Sequence, residues 1–99
     1  MIKVLLVDDH QIIIDGIKQL LEDESDIEVI STACNGAEAL KQLEVYEPDL
    51  LITDISMHTM GGFELIHRAS EKFETLKFLV LSISIVLLYG NDSFKMKFS

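Results

Sequence analysis

The sequence predicts an α/β domain built on a doubly wound parallel sheet, and three features predict it. Apolar runs of six or seven residues alternate along the chain with amphipathic stretches at helical spacing. Turn-forming or polar residues stand at the junctions. The acidic residues that interrupt the apolar pattern fall where strands end, which is where such sheets place their functional groups.

Ile2 to Val7 is a nearly continuous apolar run, followed by Asp8-Asp9-His10 and then by Ile13, Ile14, Ile17, Leu20 and Leu21 at helical spacing. This reads as strand, polar turn and helix, with Asp9 or His10 at the helix start, where a carboxylate complements free N–H groups and the dipole. The helix ends in the solvated acidic cluster Glu22 to Asp26. Gly16 inside it costs about 1 kcal/mol against alanine, and close packing is the expected reason for it. Ile27 to Ala33 is a second strand, interrupted by Glu28, Ser31 and Thr32 as suits a sheet edge.

Asn35-Gly36 turns the chain into a helix carrying Ala37, Leu40 and Leu43. Pro48-Asp49 stops it and opens a third strand, Leu50 to Ile55, apolar but for Thr53 until it reaches Asp54, as a strand buried on both faces should be. After a loop from Ser56 to Gly62, a third helix carries Phe63, Leu65, Ile66, Ala69 and Phe73, and Phe78 to Ile83 forms a fourth buried strand. The order βαβαβαβ calls for right-handed crossovers covering both faces of a parallel sheet.

A length of 99 residues allows one compact domain, burying roughly 60–70% of its unfolded surface. With 48% hydrophobic and 25% charged residues it is neither collagen-like nor disordered. Eight Lys and Arg against seventeen Asp and Glu give a net charge of −9, which repels phosphate backbones and anionic membranes, so neither is an expected partner. The uncharged stretch from Phe78 to Gly90 has thirteen residues, short of the roughly 20 that span a bilayer. Cys34 is the single cysteine, so no internal disulfide can form, and Met1-Ile2-Lys3 leads into a strand with no signal pattern. A cytoplasmic setting is expected.

The chemistry follows from where the carboxylates fall. Asp8 and Asp9 end the first strand, Asp54 ends the third and Ser82 lies near the end of the fourth, so all belong to one rim of the sheet. In a flavodoxin-like order, 2-1-3-4, the crevice opens between strands one and three, the two that carry the acids. Three carboxylates meeting there would repel one another without a cation. Mg²⁺ takes few protein oxygens and leaves room for phosphate, so a phosphoryl site is the inference.

The stretch from Met1 to about Ile83 resembles the receiver domain of bacterial two-component response regulators. The residues that carry the resemblance are Val4 to His10, Asn35-Gly36 with Glu38-Ala39-Leu40, Pro48 to Ile55, Met60 with Gly62, and Leu79 to Ser82. The Asp-Asp-His start is similar to receivers joined to a helix-turn-helix module. The resemblance implies that Asp54 is the nucleophile accepting phosphate from a sensor histidine kinase or phosphotransfer protein. It implies Asp9 as a direct Mg²⁺ ligand, Asp8 as the acid that holds the metal's water, Ser56 as a ligand through its backbone carbonyl, and Ser82 as the hydroxyl that turns toward the phosphoryl group. Such a protein is a phosphoacceptor with self-catalysed phosphotransfer and dephosphorylation, not an enzyme proper.

The sequence departs from that pattern at His58, where proline is usual, at Gly61, and above all after Ser82. Fifteen residues, Ile85 to Ser99, take the place of a helix, a strand with an active-site lysine, and a last helix; a parallel crossover needs a dozen or more residues before its strand begins. The expected division is therefore an incomplete receiver over residues 1–84 and an atypical tail over 85–99, a truncated or frame-shifted product. Gly90-Asn91-Asp92 reads as a turn and Phe94 to Phe98 alternates, so the tail is expected to fold back as an antiparallel strand. Lys95 and Lys97 are read as edge-protecting lysines, with replacement of the missing lysine as the sharper alternative. Uncovered sheet surface invites self-association. The competing functional reading is a remnant that binds metal or protein but does not signal. Cys34 is read as a strand-end packing residue, His10 as a helix-start residue bordering the rim, and Met57, Met60, His58 and His67 carry no assigned chemistry.

Overall fold

The computed structural model describes residues 1–54, 61–81, 85–89 and 94–98, the last two segments by backbone. The elements are β1 (Ile2–Val7), α1 (Gln11–Glu22), β2 (Ile27–Ala33), α2 (Gly36–Tyr46), β3 (Leu50–Asp54), α3 (Gly62–Lys72), β4 (Lys77–Leu81), β5 (Ile85–Tyr89) and β6 (Phe94–Phe98). They form one sheet of order β2-β1-β3-β4-β5-β6. The first four strands are parallel, in the flavodoxin-like order 2-1-3-4. β5 then pairs antiparallel with β4, and β6 antiparallel with β5.

Each face of the sheet has its own core. Leu5, Val7, Leu51, Phe78 and Val80 face α2 and α3, where they meet Ala39, Leu43, Leu65, Ile66 and Ala69. Val4, Leu6 and Ile52 face the other way, against Ile14 of α1 with Ile17 and Leu21 beside it. The odd and even positions of β1 thus serve opposite faces, which is why its run has no polar position between Val4 and Val7. Full burial of each large side chain contributes about 1.5–3 kcal/mol.

The helices bury narrower stripes than their apolar content suggests. In α1, Ile13 and Leu20 are exposed although they keep helical spacing, because a helix over one sheet face covers a single stripe and Ile14 centres it. In α2 the buried alanine is Ala39, not Ala37, and in α3 Phe63 faces solvent. Gly16 lies on the outer side of α1, and a Cβ added there meets nothing within 4 Å, so close packing is not its reason. Gly16→Ala is accordingly expected to stabilise the fold by up to about 1 kcal/mol, read as a raised midpoint in urea denaturation.

The two ends of the sheet are held differently. At the N-terminal ends of the strands Asp49 stitches three of them together. Its N–H donates to the Lys3 carbonyl at 2.8 Å, and its carboxylate accepts from the Lys3 N–H at 2.9 Å. Its carbonyl accepts from the Lys77 N–H at 3.1 Å. Asn35 caps α2 by accepting from the Glu38 N–H at 2.8 Å, and the helix ends at Glu47 in the left-handed region, φ 47°, before Pro48. No helix among the described residues is long and apolar enough to cross a membrane. The opposite, C-terminal ends of β1 and β3 carry the acids.

Candidate functional site

β1 and β3 are parallel neighbours, with Val7 paired to Thr53. Parallel pairing in that register brings Asp8 and Asp9, just past β1, and Asp54, the last residue of β3, to the same end of the sheet. The Asp8 N–H donates to the Ala33 carbonyl at 3.1 Å, which carries the β1–β2 pairing up to the rim. The Asp8 side chain is nearly enclosed, 9% exposed, and that of Asp9 is 16% exposed.

His10 closes the rim. It is the residue preceding α1, in extended conformation, but its side chain makes no capping bond. Instead Nδ1 lies 3.1 Å from Asp8 Oδ1 and 2.8 Å from Asp9 Oδ1, and its N–H donates to Asp8 Oδ1 at 2.8 Å. The Asp8 hydrogen bond, then the charge of Asp9, and with smaller weight those of Asp8 and Asp54, hold the imidazole above its ordinary pKa. All three acids are thus felt at one ring, and their charges favour its protonated form against the opposing effect of partial desolvation. The sequence reading put His10 at the helix start; the contact with both acids is the part that spacing alone does not give.

Asp8, Asp9 and His10 each offer a ligand atom within 4.8 Å of the others, the group of that kind among the described residues. Two carboxylates with Asp54 on the adjacent strand are hard oxygen donors on a partly open rim. That donor set fits a small divalent cation that keeps part of its water.

The other singled-out residues separate clearly. Ser56, His58, Met57, Met60 and Ser82 lie outside the described residues. His67 is on α3, exposed, 3.1 Å from Glu71 one turn on, and so belongs to a different surface. Cys34 is exposed and not a packing residue, contrary to expectation. Its thiol donates to the Glu38 carboxylate at 3.3 Å, and that bond and charge push its pKa up, which disfavours the reactive thiolate. By register Lys97 stands in the row of Asp54, through Leu81 and Val86. It is three strands away, roughly 14 Å at ordinary strand spacing. Lys95 stands in the row of Ile52, Leu79 and Leu88.

Comparison with known proteins agrees with this architecture. The family described as the response regulator receiver domain matches residues 4–96. The transcriptional regulatory protein YhcZ of Bacillus subtilis, itself uncharacterized, is 35% identical over 80 residues, which cover 81% of this chain and 37% of that protein. The nitrate/nitrite response regulator protein NarL of Escherichia coli K12 is 36% identical over 81 residues, 82% of this chain and 38% of NarL. The chain thus spans less than two-fifths of either relative. Among solved structures, the RcsB response regulator of Salmonella typhimurium superposes with a TM-score of 0.76 at 28% identity, over 80% of this chain and 41% of that one. The chain belongs to the response regulator receiver domain family, and with it to two-component signalling.

Proposed function

We propose that this chain is the phosphoacceptor of a two-component phosphorelay, taking a phosphoryl group on Asp54 from a sensor histidine kinase or phosphotransfer protein in a Mg²⁺-dependent step. The observation that carries the reading is the convergence of Asp8, Asp9 and Asp54 at one end of two neighbouring parallel strands. In the transfer, a carboxylate oxygen of Asp54 forms a bond to phosphorus while the N–P bond of a phosphohistidine breaks. The electron pair leaves on the imidazole, which takes a proton, and Asp54 becomes an acyl phosphate. Such a transfer needs little covalent machinery beyond a positioned nucleophile and charge compensation.

Asp9 would ligate the ion directly and Asp8 through water, with the Ser56 carbonyl as a further ligand and the Ser82 hydroxyl facing the phosphoryl group. Bound Mg²⁺ supplies positive charge to the phosphoryl oxygens. Asp8 is oriented for its part by the His10 N–H, and the partial enclosure of both acids strengthens their field. On this proposal the chain is a phosphoacceptor with self-catalysed transfer and hydrolysis in a cytoplasmic setting, with residues 1–84 as the receiver unit and 85–99 as an atypical tail.

A second reading has an observation of its own. After β4 the chain adds two antiparallel strands, and Lys97 stands three strands from Asp54. A remnant that keeps the fold and binds metal or protein but no longer takes up phosphate fits that arrangement. Incubation with a small-molecule phosphodonor and Mg²⁺, followed by intact-mass measurement, separates the two. The expected result is one phosphoryl adduct on the natural chain and none on Asp54→Asn; Mg²⁺ binding with no adduct on either would favour the remnant.

A further inference from the structure

We propose that two copies of this chain join edge to edge through β6, in an antiparallel two-fold pairing centred on Met96. β6 is the last strand in the sheet order, so among the described strands its outer side faces no neighbour, and an open edge is a template for pairing. Its sequence, Phe94-Lys95-Met96-Lys97-Phe98, is the same in both directions. A two-fold axis at Met96 is the register that pairs all five residues. It sets Phe94 opposite the second copy's Phe98, Lys95 opposite its Lys97, and Met96 opposite its Met96.

The faces also match. By register Phe94, Met96 and Phe98 stand in rows with Tyr89, Leu87 and Ile85 of β5. Tyr89 and Leu87 in turn stand in rows with Phe78 and Val80 of β4, members of the core on the α2–α3 face. The rows of that face therefore run from core to edge through apolar or aromatic positions, and the second copy's Phe, Met and Phe continue them. The opposite face sets lysine against lysine, which opposes pairing. The negative field of a chain with net charge −9 offsets part of that repulsion. The far edge does not compete: β2 is interrupted by Glu28, Ser31 and Thr32, and its pairing with β1 shifts register between Val4 and Leu5. Pairing through β6 alone is self-complementary and closes as a dimer.

The lysines give a test specific to the register. Because Lys95 meets Lys97 across the axis, either K95E or K97E converts both lysine pairs into Glu–Lys pairs, whereas the double variant makes two Glu–Glu pairs. Sedimentation velocity of the full chain over a concentration series should show a reversible dimer. At low salt each single variant should tighten it about tenfold, and the double variant should lose that gain and bind no tighter than the natural chain, because its two Glu–Glu pairs repel within the same negative field. Net charge acting alone predicts the reverse, since each added glutamate makes an acidic chain more acidic and weakens association stepwise. That stepwise order would overturn the pairing, as would monomers throughout the series for the natural chain and both single variants, or assemblies larger than a dimer.

Discussion

Replacing Phe78 with alanine is expected to remove about 3–5 kcal/mol of folding stability, measured as the shift in free energy from urea denaturation. Phe78 is fully buried and heads the large side chains of the core, where β4 meets α2 and α3. Its ring sits one position along β4 from the Lys77 N–H that bonds Asp49, so the cavity would open beside the stitch that holds β1, β3 and β4 in register. Domains of this size are held by only about 5–15 kcal/mol in all, and the variant should therefore be largely unfolded well below the natural midpoint. A loss under about 1 kcal/mol would mean that the site collapses around the smaller side chain.

The second large effect is expected at the rim. Asp9→Asn should lower Mg²⁺ affinity by about a hundredfold or more, and Asp8→Asn by about 10–100-fold, the range for a residue acting through the ion's outer contacts. Calorimetric titration measures both. The substitution keeps the shape of the side chain and removes one of the like charges that crowd His10, so the urea midpoint serves as a control that binding, not folding, has been lost. Affinity unchanged in Asp9→Asn would place the cation elsewhere.

Much of this fold is legible in the chain because its strands are buried on both faces. Val4 to Val7 and Leu50 to Ile52 leave no polar position to confuse their assignment, and the acids that follow each run mark its C-terminal end. The interruption of β2 by Glu28, Ser31 and Thr32 places it at an edge, where it is found. The helix faces were less legible, because apolar spacing shows which residues could share a stripe and not how wide a stripe the sheet covers. Ile13, Leu20 and Phe63 all keep the spacing and all face solvent. The antiparallel return of Phe94 to Phe98 follows from its alternation, whereas Ile85 to Tyr89, apolar at every position, has no period to read and becomes a strand through pairing with β4. At the rim, the three acids follow from strand ends alone. The turn of the His10 ring onto two of them depends on the backbone between β1 and α1, which residue types do not specify.

The rim offers a phosphodonor several nucleophiles: Asp8, Asp9 and the His10 ring stand together, with Asp54 on the adjacent strand. The site of modification is therefore the most direct reading of the proposed role. Borohydride reduction of the phosphorylated chain converts an aspartyl phosphate to homoserine, and peptide mass mapping then locates it. Homoserine is expected at position 54, with unmodified aspartate at 8 and 9. Homoserine at position 8 or 9, or phosphate retained on His10 with Asp54 intact, would contradict that role.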